Sequence, residues 1–161
     1  MLRGIGRCTG HGHDRKSCGR RCEAARGTSL RTSVLVTAPV IVAINAPREY
    51  RSWLGELPAG VRIVSTAAAP LQAVHLFATK RSLLAKKLAS LRKQLEQTGF
   101  VWVSWPKKAS KVETDITEDV IRELALPLGF VDIKVCAVSD VWSGLKLVIR
   151  KSERTAPQGL R

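Results

Sequence analysis

A chain of 161 residues with 45% hydrophobic content has apolar surface enough for one buried core and too few residues for two. Its net charge of +14 is concentrated at the ends: residues 1–31 carry eight Lys and Arg against two acids, residues 151–161 three against one, and residues 32–150 sixteen against ten. Three of the four cysteines, Cys8, Cys18 and Cys22, lie in the first segment with no secretory apolar run ahead of them, which excludes a disulfide-built scaffold and points to a reducing, cytoplasmic compartment.

Residues 1–32 are rich in Gly and Arg and show neither helical nor strand period, so a disordered basic tail is expected there. The apolar run Val34–Ile44 contains Thr37 and Pro39 and is about half the roughly 20 residues needed to cross a bilayer, so no membrane span is expected. A single α/β domain over residues 33–151 follows. Val40–Ile44 is a short β-branched run that reads as a strand buried on both faces, and Asn45-Ala46-Pro47 turns the chain out of it. Glu49–Leu54 suggests a short helix, Val61–Ser65 a second strand and Ala73–Ala78 a third. Only Thr66–Gln72 separates these two strands, shorter than the ~12 residues of a usual parallel crossover. Either the second strand is misplaced or the sheet lacks a helix there.

Lys80–Gln97 is the strongest helix, with Leu84, Leu88, Leu91 and Leu95 on one stripe, Thr79 as cap and Gly99 as stop. Its outer lysines, Lys80, Lys86, Lys87 and Lys93, read as a solvated face. Phe100–Trp105 follows as a central strand, making a βαβ unit. Asp115 and Glu118 have capping-box spacing for a helix that buries Val120, Ile121 and Leu124 and ends at Pro127 and Gly129. Alternation over Val131–Ala137 and Leu145–Ile149, joined by Ser139–Gly144, predicts a closing antiparallel pair. Residues 152–161 form a polar tail. The expected architecture is a truncated, three-layer Rossmann-like α/β sheet.

This order of elements resembles the second half of class I methyltransferases. QTGFVWVSW is similar to their lysine-proline-glycine-glycine turn into a central strand, without the proline and the second glycine. SWPKKASK, TDITEDVIRELALPLG, VDIKVCAV and WSGLKLVIRK, in that order, resemble a family of small bacterial proteins of unknown function over about residues 40–151. The resemblance implies a bacterial, methyltransferase-like domain and brings no established activity. Residues 1–39 do not resemble the family's opening segment, and an upstream-misread start codon would account for that.

Methyltransferases of this kind need a Gly-rich turn after the first strand, where the backbone approaches S-adenosylmethionine, and an acid after the next strand for the ribose hydroxyls. Here Asn45-Ala46-Pro47 and Ser65-Thr66 stand at those places. Architecture alone does not carry activity across such a departure. Cys8, His11, His13, Cys18 and Cys22 match no zinc module and have no apolar cover, so no metal site is assigned. His75 reads as a core histidine in a buried strand, with no Ser, Cys or carboxylate pair near it in sequence.

The loop Trp105–Lys111 is the favoured site. Lys107, Lys108 and Lys111 cluster beyond a buried strand, with Ser104 and Trp105 at its mouth, a helix start following, and Asn45, Trp142 and Ser143 able to reach the same rim. The reading is a non-catalytic binding module for an anionic small molecule, with no cofactor. The alternatives are an atypical S-adenosylmethionine-dependent methyltransferase, or a protein binding nucleic acid weakly and non-specifically through its basic tails.

Overall fold

The computed structural model of the protein describes residues 40–154. The expectations for the basic tail, its Cys and His residues and residues 155–161 lie outside the described residues. In chain order the elements are Val40–Ile44 (β1), Tyr50–Leu54 (α1), Arg62–Val64 (β2), Leu71–Phe77 (β3), Arg81–Gln94 (α2), Leu95–Pro106 (β4), Glu118–Ala125 (α3), Phe130–Ala137 (β5) and Trp142–Ile149 (β6). Short 3₁₀ turns lie at Lys108–Ser110, Leu126–Leu128 and Lys151–Glu153.

The strands form one six-stranded sheet ordered β2-β1-β3-β4-β6-β5. β1 to β4 run parallel, and β6 returns antiparallel between β4 and β5. This is the expected Rossmann-like, methyltransferase-like sheet with its closing antiparallel pair. The short β2–β3 connection is explained by the second of the two alternatives: β2 is in place on one side of β1, β3 lies on the other, and residues 65–70 cross over without a helix. An apolar cavity of about 260 Å³ bordered by Val42, Ala67, Ala68 and Pro70 lies beneath this crossover.

The core of this one domain has two layers, one on each face of the sheet. Leu84, Leu88 and Leu91 of α2 and Ile121 and Ala125 of α3 pack against Val42, Val74, Leu76, Val101 and Val103. Fully burying each such leucine contributes about 1.5–3 kcal/mol relative to leaving it exposed. On the opposite face Tyr50 and Leu54 of α1 pack against Ile41, Ala43, Phe77 and Trp102. Helices therefore cover both faces, in three layers.

The helix boundaries differ from those expected, for reasons that lie in tertiary contacts. α2 ends at Gln94, because Leu95 has already turned extended and pairs with Leu71 as the first residue of β4. Leu95 is buried either way, so helical period alone does not distinguish the two states. Gly99 is accordingly no helix stop. A Cβ there would meet Leu71 O at 2.9 Å and Gln72 O at 3.0 Å, so it permits the close approach of β3 and β4. Thr79 does not cap α2, whose N-cap is Lys80 without a side-chain hydrogen bond. α3 is capped by Thr117, whose Oγ1 accepts from Val120 N at 3.3 Å. The fold also continues past the expected end of the domain: Arg154 Nε donates to Ile149 O at 3.0 Å, and Arg92 donates to Glu153 O.

Candidate functional site

All four parallel strands end on one edge of the sheet, the edge at which open α/β folds seat their ligands. Asn45 follows β1, Ser65 follows β2, Ala78 and Thr79 follow β3, and Lys107 follows β4. The edge divides into two regions of different character.

At β4, the expected basic loop is tied down rather than open. Lys107 N donates to Val141 O at 2.8 Å and Lys107 Nζ to Ser139 O at 2.6 Å, which fastens the loop to the β5–β6 hairpin. Ser110 folds back on Lys107 O, and Lys111 takes a left-handed conformation with φ +58°. Thr114 Oγ1 and Asp115 N both bond Thr79 O, joining the loop to the start of α2. The free N–H groups of α3 face a capping Thr117 and the acids Glu118 and Asp119 in its first turn. Lys108 is exposed, as is Lys111.

The rim residues expected beside the lysines do not converge. Trp105 is buried in the α2–α3 core opposite Ser143 on β6, and Trp142 packs edge-on against Phe77 at 5.1 Å on the other face. Strand alternation is the reason, since adjacent residues of β4 point to opposite faces. Ser104 is wholly buried rather than at the mouth.

Ser104 belongs to a polar trio inside the sheet. His75 Nδ1 lies 2.8 Å from Tyr50 Oη, and His75 Nε2 lies 2.8 Å from Ser104 Oγ. His75 is thus the core histidine expected, with a serine that sequence spacing did not place beside it. Burial pushes its pKa down to about 3, and burial raises that of the Tyr50 phenol. The imidazole is therefore neutral, with one ring nitrogen donating and the other accepting. Both hydroxyls are covered, so the trio lacks the access a nucleophile needs. It fixes α1, through Tyr50, to the centre of the sheet.

The open region lies at β1 and β2. A cleft of about 440 Å³ is lined by Ala43, Asn45, Ala46, Pro47, Arg48, Tyr50, Arg51, Ile63, Val64 and Ser65. Asn45 supplies the left-handed turn, with φ +54°, that a glycine commonly supplies, and its Nδ2 donates to Phe77 O at 3.5 Å. Asn is among the few residues that accept this conformation readily. Arg51 reaches across to Ile63 O on β2 at 3.5 Å. Ala43, Ile63 and Val64 give the cleft apolar walls, and Arg48 and Arg51 stand at it as cations. Among the described residues no carboxylate lines it. Of the ligand-site residues expected around the basic loop, Asn45 alone is here, joined by Ala46, Pro47 and Ser65, which stand where a methyltransferase would carry its Gly-rich turn and ribose-binding acid. Arg48, just before α1, and Arg51, within it, were not singled out from the sequence, where nothing but their spacing of three residues marks them as a pair.

Among the described residues no three His, Cys, Asp or Glu side chains group as metal ligands, and no helix is long and apolar enough to cross a membrane.

The fold has solved counterparts. A protein assigned as a type 11 methyltransferase from Sulfolobus solfataricus superposes with a TM-score of 0.51 at 12% identity, covering 74% of this chain and 90% of that one. Ribosomal protein L11 methylase from Lactobacillus delbrueckii subsp. bulgaricus superposes with a TM-score of 0.50 at 10% identity, covering 79% and 78%. At these identities the likeness establishes a methyltransferase-like architecture. No protein-family model matches the sequence, and no curated protein matches it.

Proposed function

We propose that this domain is a small-molecule-binding module of methyltransferase-like architecture that does not transfer methyl groups, and that its ligand sits in the cleft at the carboxyl ends of β1 and β2. Its motifs resemble those of a family of small bacterial proteins, a likeness that brings no established activity. The observation that carries the reading is the combination at this cleft of a formed left-handed turn at Asn45 and Ser65 where an acid would hold ribose hydroxyls. The shape of a ligand site is kept while the chemistry for S-adenosylmethionine is not. Pro47 removes a backbone donor from the turn, which further weakens the cofactor reading.

The alternative, an S-adenosylmethionine-dependent methyltransferase with an atypical site, is favoured by the likeness of fold. Fold does not fix chemistry, and the argument rests on the site. Calorimetric titration of the full chain with S-adenosylmethionine separates the two readings. No measurable binding is the expected result. Micromolar binding that Asn45→Asp weakens would overturn the proposal in favour of the methyltransferase.

A further inference from the structure

Resting on that placement of the site, we infer that the cleft between β1 and β2 selects a phosphate-bearing small molecule, recognised by Arg48 and Arg51. The two guanidinium groups arise from one turn of chain at the start of α1 and both line the cleft. Neither has an ion-pair partner among the described residues. Glu49, between them, is exposed and does not line the cleft.

Arg51 is already oriented, since one of its five N–H donors reaches Ile63 O at 3.5 Å and the rest remain for a ligand. Arg presents paired donors that match phosphate oxygens two at a time. Asn45 and Ser65 add neutral polar groups, and Ala46, Pro47, Ile63 and Val64 offer apolar contact for the group that carries the phosphate. The site is moreover anchored from behind: Tyr50 lies between the two arginines in sequence and is bonded to buried His75, so α1 does not have to be ordered when a ligand binds.

Charge decides the class of ligand. S-adenosylmethionine carries a sulfonium, an ammonium and one carboxylate, a net positive charge, and among the described residues lining the cleft it would meet two arginines and no acid. A phosphate monoester carries one to two negative charges at neutral pH and meets complementary charge.

The test uses the full chain with four probes at low salt: inorganic phosphate, adenosine, adenosine monophosphate and S-adenosylmethionine. The expected result is that adenosine monophosphate binds at least about ten-fold more tightly than adenosine, as charge-assisted hydrogen bonds to two arginines imply. Arg48→Gln with Arg51→Gln should close that gap without lowering the melting temperature, both side chains being exposed. Adenosine binding the cleft as well as its monophosphate would overturn the phosphate inference and leave the cleft as the site. A gap that persists in the double variant would place the anion elsewhere, and binding by none of the four probes would sink both the inference and its premise.

Discussion

The carboxylate of Asp115, in the loop after β4, accepts the backbone N–H of Arg81 at 2.5 Å and so caps the helix that follows β3. An orphan donor at the first turn of α2 is satisfied by a residue from a different crossover, and the neighbouring carbonyl of Thr79 accepts from Thr114 and Asp115 in return. The turns after the two central parallel strands are thereby held as a unit. Replacing Asp115 by Ala should destabilise the protein by about 1 kcal/mol, the usual cost of a lost N-cap. Chemical denaturation checks this, and Asp115→Asn should recover most of the loss because the amide oxygen still accepts. A destabilisation that Asn does not relieve would show that the charge, rather than the hydrogen bond, matters.

The same contact marks a limit of sequence reading. Asp115 and Glu118 have capping-box spacing, and a local rule assigns both to α3. In the fold Thr117 caps α3, Glu118 pairs with Arg122, and Asp115 serves α2. Which helix a carboxylate caps depends on how two crossovers meet at the sheet edge, and that is not encoded in spacing.

Buried His75 should make stability depend on acid. Its pKa falls from 6.5 to about 3 on folding, so the unfolded chain takes up a proton that the folded chain refuses. The contribution is complete above pH 6.5 and declines as pH falls below it. Each pH unit in that window costs about 1.4 kcal/mol, or about 2 kcal/mol between pH 6.5 and 5. Urea midpoints for wild type and His75→Gln across pH 5 to 7 should show the acid slope in wild type alone. An equal slope in both would mean that His75 is not the titrating group.

A third expectation concerns Gly99. Adding one methyl group there places it 2.9 Å from a backbone oxygen of β3 and 3.0 Å from Leu95 Cδ1, so strands or side chains have to shift. Gly99→Ala should cost about 1–3 kcal/mol, the range for overpacking a well-packed site. Thermal unfolding measures it, and a neutral or stabilising effect would show that the register shift between Leu71 and Ala73 absorbs the methyl group.

The strand and helix succession was legible because hydrophobic period reports which face is buried: Val40–Ile44, Leu84, Leu88 and Leu91 of α2 and the alternation of β6 read correctly, whereas in β5 the alternation located the strand but not its buried face, since Ile133 and Val135 are exposed. The closing antiparallel pair was legible for the same reason. Juxtaposition across strands was not. Ser104 meets His75 because β4 is registered on β3 with Trp102 opposite His75, and register is not carried by either strand's own pattern. The site suffered likewise. Lysines after β4 were conspicuous as a cluster, whereas Arg48 and Arg51 face a cleft only because β2 pairs beside β1 across a helix-free crossover.

The location of the ligand site is tested most directly by residue-resolved NMR titration of the full chain with adenosine monophosphate at low salt. The two regions of the sheet edge are separate in the fold, one at the ends of β1 and β2 and the other beyond β4, so their amides report independently. The expected result is saturable shifts of Asn45, Ala46, Arg48, Arg51 and Ser65, with Lys108 and Lys111 unmoved. Shifts confined to Lys107–Lys111, and none at Asn45 or Ser65, would contradict the placement of the site at the β1–β2 cleft and restore the loop after the central strand.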